Sequence, residues 1–269
     1  MHIHVQGAEI YAYTGGKAFD AAKPTAIFIH GVLCDHSVWA LQSRYLANHG
    51  WNVLAIDLPG HCRSGGNAPK SVEEAAAFIG ALMDAAGLEK AALIGHSWGS
   101  LIAMEAAATL KQRISHLVLV GTAFPMKVSP ALLDSALNTP EKAIAMVNTF
   151  SRATLSPPGG AGSWVFGAGM ALGRRVLASN SRTNLLHAGF TACDSYAGGE
   201  AAMAQLSCPV LFVLGEQDQM TPPKAAKGLI EAARAAGQQP RVQMIPNGHN
   251  QMTESPDPTL FAIRDFLAI

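Results

Sequence analysis

Gly95, His96, Ser97, Trp98 and Gly99 stand between the apolar run Ala91 to Ile94 and an alanine-rich stretch with helical spacing. That order puts a serine on a sharp strand-to-helix turn, with small residues two before and two after it to make room for the reversal. The following helix, from about Trp98 to Leu110, aims the positive end of its dipole at the place where negative charge builds up during attack on a carbonyl. Ser97 is therefore the candidate nucleophile.

A serine hydroxyl is a weak nucleophile at neutral pH, so it needs an imidazole base, and the imidazole needs a carboxylate to fix its tautomer. Among ten histidines, position selects His249, in the loop Pro246 to Asn250 directly after the last predicted strand. His30 ends a buried strand and reads as a brace for the glycine turn that follows it. His96 sits inside the serine turn with little freedom. The chain order serine, acid, histidine limits the carboxylate to positions between 97 and 249. Asp218 lies just past the run Pro209 to Leu214, at a strand's C-terminal end like the other two. Glu216 is its local rival, and the competing reading of Asp218 is a residue that only caps the turn before Thr221. Two backbone donors complete the set. One is the N–H of Trp98, and the other is that of Val32 in the segment His30-Gly31-Val32-Leu33.

These residues need a frame that brings distant loops to one rim. Short continuous apolar runs occur at Thr25 to Ile29, Val53 to Ile56, Ala91 to Ile94, His116 to Val120 and Pro209 to Leu214, as strands covered on both faces require. Helical segments alternate with them, at about Ser37 to Asn48, Ser71 to Ala86, Trp98 to Leu110 and Pro222 to Ala236. Ser71 with Glu74 forms a capping box, Thr221 before Pro222 reads as an N-cap, and Gly87 and Gly237 read as helix stops. The alternation predicts an α/β fold with a parallel sheet and helices on both faces, with Ile3 to Val5 and Glu9 to Tyr13 as an antiparallel edge hairpin. Arg241 to Ile245 reads as the last strand and Pro258 to Leu267 as the closing helix.

The rhythm breaks between residues 124 and 206. Helical patterns near Pro130 to Leu137, Pro140 to Arg152 and Val165 to Ala178, with Thr139 as an N-cap, predict a helical cap inserted in a core of residues 1–123 and 207–269. Its aromatic and methionine content predicts an apolar pocket, with Phe124, Trp164 and Phe166 as candidate substrate-binding residues.

With Lys plus Arg and Asp plus Glu both at 19, the formal charge is zero, and nothing electrostatic draws the chain to nucleic acid or an anionic membrane. A small-molecule substrate is the expected partner. Four widely spaced cysteines and an N-terminus without a basic or apolar leader pattern point to a reduced, cytoplasmic setting. No stretch is long and apolar enough for a membrane span. Neither metal-ligand spacing nor a glycine-rich phosphate or dinucleotide cradle is present, so no metal or cofactor is expected. Asp57 to Ser64 reads as a pocket wall without chemistry.

Taken together, His30-Gly31, Asp57 to Ser64, the turn at Ser97, Asp218 and His249 resemble the α/β-hydrolase superfamily over nearly the whole chain. The resemblance implies a mostly parallel eight-stranded sheet, a helical cap and cofactor-free hydrolysis through an acyl-enzyme. Cys62 departs from it, standing where members often carry glycine. Ser97 separates the chain from the haloalkane dehalogenases and epoxide hydrolases, which use an aspartate nucleophile. Ser97-Trp98-Gly99-Ser100 is similar to prolyl aminopeptidases, and Asp57 to Ser64 to carboxylesterases and enol-lactone hydrolases. The cap offers few acids to hold a substrate ammonium, which favours an esterase for a small to medium, largely apolar substrate. Carbon–carbon bond hydrolysis, a prolyl-type aminopeptidase and a small-molecule receptor on the same fold are the alternatives.

Overall fold

A computed structural model describes residues 1–153 and 161–268, with side chains for all of these except 161–164. Eight strands form one sheet: β1 (His2–Val5), β2 (Ala8–Tyr13), β3 (Thr25–Ile29), β4 (Asn52–Ile56), β5 (Ala91–His96), β6 (Ile114–Val120), β7 (Val210–Gly215) and β8 (Arg241–Ile245). Their spatial order is β1-β2-β4-β3-β5-β6-β7-β8. The first two strands are antiparallel to their neighbours and every later pairing is parallel. Every residue of β3, β4, β5 and β7 is buried, which accounts for their unbroken apolar runs. The edge strand β8 exposes four of its five residues.

Helices cover both faces. On one side lie α1 (Ala40–Asn48), preceded by a 3-10 turn at His36–Trp39, α10 (Gln251–Glu254) and α11 (Pro256–Leu267). On the other lie α2 (Val72–Ala85), α3 (Trp98–Leu110) and α9 (Lys227–Ala235). Ser71 caps α2 as expected, its hydroxyl accepting from the Glu74 N–H at 3.1 Å. The Glu74 carboxylate reaches one residue further back than a capping box requires, to the Lys70 N–H at 2.8 Å. In α3 the buried residues lie all round the helix, because it is sandwiched between the sheet and neighbouring helices. Its Ala and Gly content allows that close packing.

Between β6 and β7 come α4 (Pro130–Asn138), α5 (Pro140–Phe150), α6 (Ala161–Ala178), α7 (Leu185–Ser195) and α8 (Gly199–Ala204). The last two were not legible as helices in the sequence. Thr139 precedes α5 but makes no side-chain cap bond, so the proline at the helix start is the signal that holds there. Ala136, Ala143, Ile144, Met170, Leu186 and Phe190, from the first four of these helices, share a small core of their own, closed below by Leu33 from the loop after β3. Ala202 and Met203 of α8 join the main core instead.

The parallel register sets the C-terminal strand ends side by side: Ile29 pairs with Gly95, His96 with Val120, and Gly215 with Ile245. The chain steps outward from β3 to β4 and then back to β5 on the other side, so the β3/β5 boundary is a switch point where loops part and leave a crevice. Among the described residues no helix is long and apolar enough to cross a membrane.

Candidate active site

Ser97 occupies the turn between β5 and α3 with φ 53° and ψ −120°, a left-handed conformation unusual for a side-chain-bearing residue. The glycines around it are required by close approach. A Cβ on Gly95 would overlap the Gly99 carbonyl, and one on Gly99 would overlap the carbonyls of Ile29 and His30. The turn is held by the Ser97 N–H, which donates to Val120 O at 2.9 Å, and by the Ser100 hydroxyl, which donates to Ser97 O. The Ser97 hydroxyl itself forms no hydrogen bond to a described residue and faces a cavity that His249 also lines.

His249, 4% exposed, sits in the loop after β8 with its Nδ1 2.8 Å from Asp218 Oδ2. With an ionised carboxylate opposite, Nδ1 carries the proton and Nε2 keeps its lone pair. Asp218, 3% exposed, uses its two oxygens for separate tasks. Oδ1 accepts from the N–H groups of Met220 and Thr221 at 2.9 and 2.8 Å, capping the turn, while Oδ2 faces the imidazole. The turn cap and the contact with His249 therefore use different oxygens of one carboxylate. Burial opposes its ionisation, but the His249 charge and hydrogen bond, with the backbone and hydroxyl hydrogen bonds of Thr221, outweigh it and hold the carboxyl down at about 2.

Thr221 differs from its expected role. The 3-10 turn before α9 begins at Pro223, so Thr221 is not the N-cap. Its hydroxyl oxygen lies 2.7 Å from Asp218 Oδ2, 2.9 Å from His249 Nδ1 and 2.9 Å from Gly121 O. The hydroxyl is drawn inward because those three buried polar atoms lie within its reach, whereas the helix N-terminus opens to water.

Three other side chains brace the site. His96 donates from Nε2 to His249 O at 2.9 Å, tying the serine turn to the histidine loop, and its ring centroid lies 4.8 Å from that of His249. Burial first, and the His249 charge second, push the His96 pKa down to about 3, so it stays neutral. His30 joins the loops after β3 and β4, accepting the Leu58 N–H at Nε2 (3.1 Å) and donating from Nδ1 to Gly31 O (2.9 Å). Glu254, at the end of α10, accepts the Gly248 N–H at 3.0 Å and the Ala153 N–H at 2.8 Å. No motif announced Thr221 or Glu254. The spacing of Asp218 and Thr221, three apart in a turn, was the only signal available for the former.

A Cβ on Gly31 would stand 2.9 Å from His96 Nδ1 and 3.1 Å from Ser97 Cβ, so its absence lets the β3 loop lie against the nucleophile. Val32, the next residue, lines the same cavity as Ser97, and neither its amide nor that of Trp98 has an acceptor among the described residues.

Two cavities of about 190 and 230 Å³ meet at Ser97 and share Val32, Phe190, Met220 and His249 as walls. Phe124 lines neither. It packs edge-on to Tyr196 (centroids 5.9 Å apart) and against Gly199, where any Cβ would strike its ring. Phe166 also lines neither and is 37% exposed. The cavity face of α6 is Val165, Ala168, Gly169 and Leu172, a helical stripe from which position 166 is rotated by about a quarter turn. The Trp164 side chain lies outside the described residues.

The loop Asp57 to Ser64 lines neither cavity at Ser97, unlike the pocket wall read from sequence; its Cys62 and Arg63 face a separate opening beside Asp35, His36 and Arg175, and its Asp57 turns inward to His36 and the Arg63 N–H. Asp35, His36 and Asp57 bring ligand-type atoms within 4.8 Å of one another, but all four carboxylate oxygens are already engaged. Asp57 holds the His36 N–H and Nδ1 and the Arg63 N–H. Asp35 holds Ser37, Arg175 and the Cys62 thiol. Cys62 adopts φ 45°, the left-handed backbone that favours glycine.

A family model described as alpha/beta hydrolase fold matches residues 24–154. Among curated proteins, the acetyltransferase component of the acetoin cleaving system of Cupriavidus necator is 36% identical over 111 residues, 41% of this chain and 28% of that protein. The chain thus spans under a third of that relative, and 26% to 56% of seven further curated relatives. Among solved structures, an esterase from Exiguobacterium antarcticum superposes with a TM-score of 0.83 at 16% identity, covering 100% of this chain and 99% of that one. The enol-lactonase of Burkholderia xenovorans gives 0.81 at 22%, with 100% of both covered.

Proposed function

We propose that this chain, an α/β hydrolase by fold, is a serine hydrolase that cleaves carboxylic esters of small to medium, largely apolar substrates through an acyl-enzyme. The observation that carries the reading is the hydrogen bond of His249 Nδ1 to Asp218, with Nε2 left free in a cavity shared with the strained Ser97. In this reading Ser97 Oγ attacks the ester carbonyl as its proton passes to His249 Nε2. The ionised Asp218 stabilises the imidazolium, and the Val32 and Trp98 amides hold the oxyanion. His249 then protonates the leaving alcohol, and water repeats the sequence to release the acid.

The residues from 124 to 206 act as the cap in this scheme, since Phe190 of α7 and the inner stripe of α6 close the cavities over the serine. The esterase and enol-lactonase among the structural neighbours support the same chemistry, a lactone being a cyclic ester. The test is a p-nitrophenyl ester assay with Ser97→Ala. Loss of about 10⁴-fold in turnover is expected, together with loss of fluorophosphonate labelling. Near-normal turnover in that variant rejects the assignment.

A further inference from the structure

We propose that Arg152 forms a subsite for a carboxylate carried by the substrate, distinct from the acyl group being cleaved. The proposal rests on the serine-hydrolase reading for the location of the scissile bond. It names the substrate class as esters of dicarboxylic or hydroxy acids.

Arg152 lines the cavity of about 190 Å³ that opens on Ser97. Its Nη2 donates to Val165 O at 2.6 Å, while its Nε is buried with no hydrogen-bond partner among the described residues. No carboxylate among the described residues comes within 4.0 Å of the guanidinium. Glu254 is the near acid, but both its oxygens are held by backbone N–H groups. Burial pushes the Arg152 pKa down, and the Glu254 charge only partly opposes this. A half-buried guanidinium with an orphaned donor is costly unless a partner arrives from outside.

The surroundings are built to keep the group there. The backbone on either side of Arg152 is pinned to the histidine loop, by the His249 N–H on Ser151 O at 2.8 Å and by the Ala153 N–H on Glu254 at 2.8 Å. Opposite, Gly169 sits inside α6, where alanine would favour the helix by about 1 kcal/mol. A Cβ there would overlap Asn148 Oδ1 and stand 3.2 Å from Arg152 Nη2, so the glycine makes space for this polar pair. No Asp or Glu lines either cavity among the described residues, and the cation of the second cavity, Lys127, is engaged by Asp194. Arg152 is the charge left facing the cavity, and a planar carboxylate matches its fork of donors.

The test uses two matched pairs, with the carboxylate on the acyl or on the alcohol side: monomethyl glutarate against methyl hexanoate, and 4-acetoxybutyrate against pentyl acetate. Binding to the Ser97→Ala protein is measured by calorimetry, and kcat/KM on the parent enzyme by pH-stat. In at least one pair the carboxylate-bearing ester is expected to bind and turn over about 10-fold better or more. Arg152→Met should erase that preference and Arg152→Lys should keep part of it. Equal or better binding of the neutral ester in both pairs, or a preference that survives in Arg152→Met, overturns the subsite. If instead the carboxylate preference appears in binding while no ester is turned over and Ser97 is not labelled, the subsite stands and the hydrolase reading falls.

Discussion

The backbone N–H of His249 donates to the carbonyl of Ser151 at 2.8 Å, joining the residue that would carry the proton to the segment just after α5. Three more contacts repeat the link: Asn250 Nδ2 to Ser151 Oγ at 3.1 Å, and the Glu254 carboxylate to both Gly248 and Ala153. Gly248 lacks a Cβ where one would stand 2.6 Å from Ala153 N, so the two strands of chain run in direct contact. The histidine loop is therefore held on one side by the core, through His96 and Asp218, and on the other by the helical insertion.

Glu254 bridges the two with one carboxylate, an oxygen on each side. Glu254→Ala leaves two N–H groups without their charged acceptor, a loss of about 2–3 kcal/mol in stability. Because His249 moves with Gly248, kcat should fall about 10-fold at unchanged substrate affinity, and Glu254→Gln should recover part of it through its remaining carbonyl oxygen. Thermal unfolding and steady-state kinetics on the folded variants check both statements. Unaltered kcat in Glu254→Ala would separate the bridge from catalysis.

Thr221→Val keeps the shape of the side chain and removes the hydroxyl that Asp218, His249 and Gly121 share. Gly121 O loses a buried donor, and Asp218 Oδ2 retains His249 and the longer 3.4 Å contact from Gln251. The loss of one such hydrogen bond is worth about 1 kcal/mol, so kcat should drop roughly 5- to 10-fold while Thr221→Ser stays near the parent. Equal loss in the serine variant would point to packing of the methyl group as the cause.

Asp218→Asn should be far more damaging. An amide turned to donate to Nδ1 reverses the imidazole tautomer and puts the proton on Nε2, where Ser97 needs an acceptor. A fall of about 10⁴-fold in kcat follows from that reversal alone. Because Oδ1 also caps the turn, the variant with the amide nitrogen toward His249 keeps its carbonyl on the Met220 and Thr221 amides. Folding, read by circular dichroism, should survive while turnover is lost.

The parts of this site that sequence could reach are those with a local signature. The turn at Ser97 is written in five consecutive residues, and the strand before Asp218 ends where its apolar run ends. The regular alternation of runs and helices carries the α/β architecture for the same reason. What stayed hidden depends on approach in space. Thr221 reads as a helix cap until Gly121 and His249 come beside it from other strands, and Glu254 reads as an ordinary helix residue until residues 151–153 descend on it. Phe166 shows the limit inside one helix: composition marks α6 as apolar, but only its orientation decides that Val165 and Gly169 face the cavity.

Three buried histidines set the acid limit of the fold. Burial is the leading cause that lowers the pKa values of His30, His61 and His96 from 6.5, with His61 reaching about 4 and His96 about 3. A histidine whose folded pKa lies below its unfolded value binds its proton first in the unfolded chain. Its contribution to stability is whole above pH 6.5 and is lost as the pH falls toward the folded pKa. Asp218 has the opposite charge type and a lower window, losing its contribution only as the pH falls from 3.8 toward about 2. Between pH 6.5 and 5 His61 and His96 therefore dominate, each adding a slope that approaches about 1.4 kcal/mol per pH unit, and His30 acts in the same direction. Urea unfolding across that interval should show stability falling with a slope that steepens to about two protons or more near pH 5. His61→Gln, which retains a polar group near Pro59 O, should reduce the slope by about one proton. A flat profile in the parent protein would mean that these imidazoles are already protonated in the folded state.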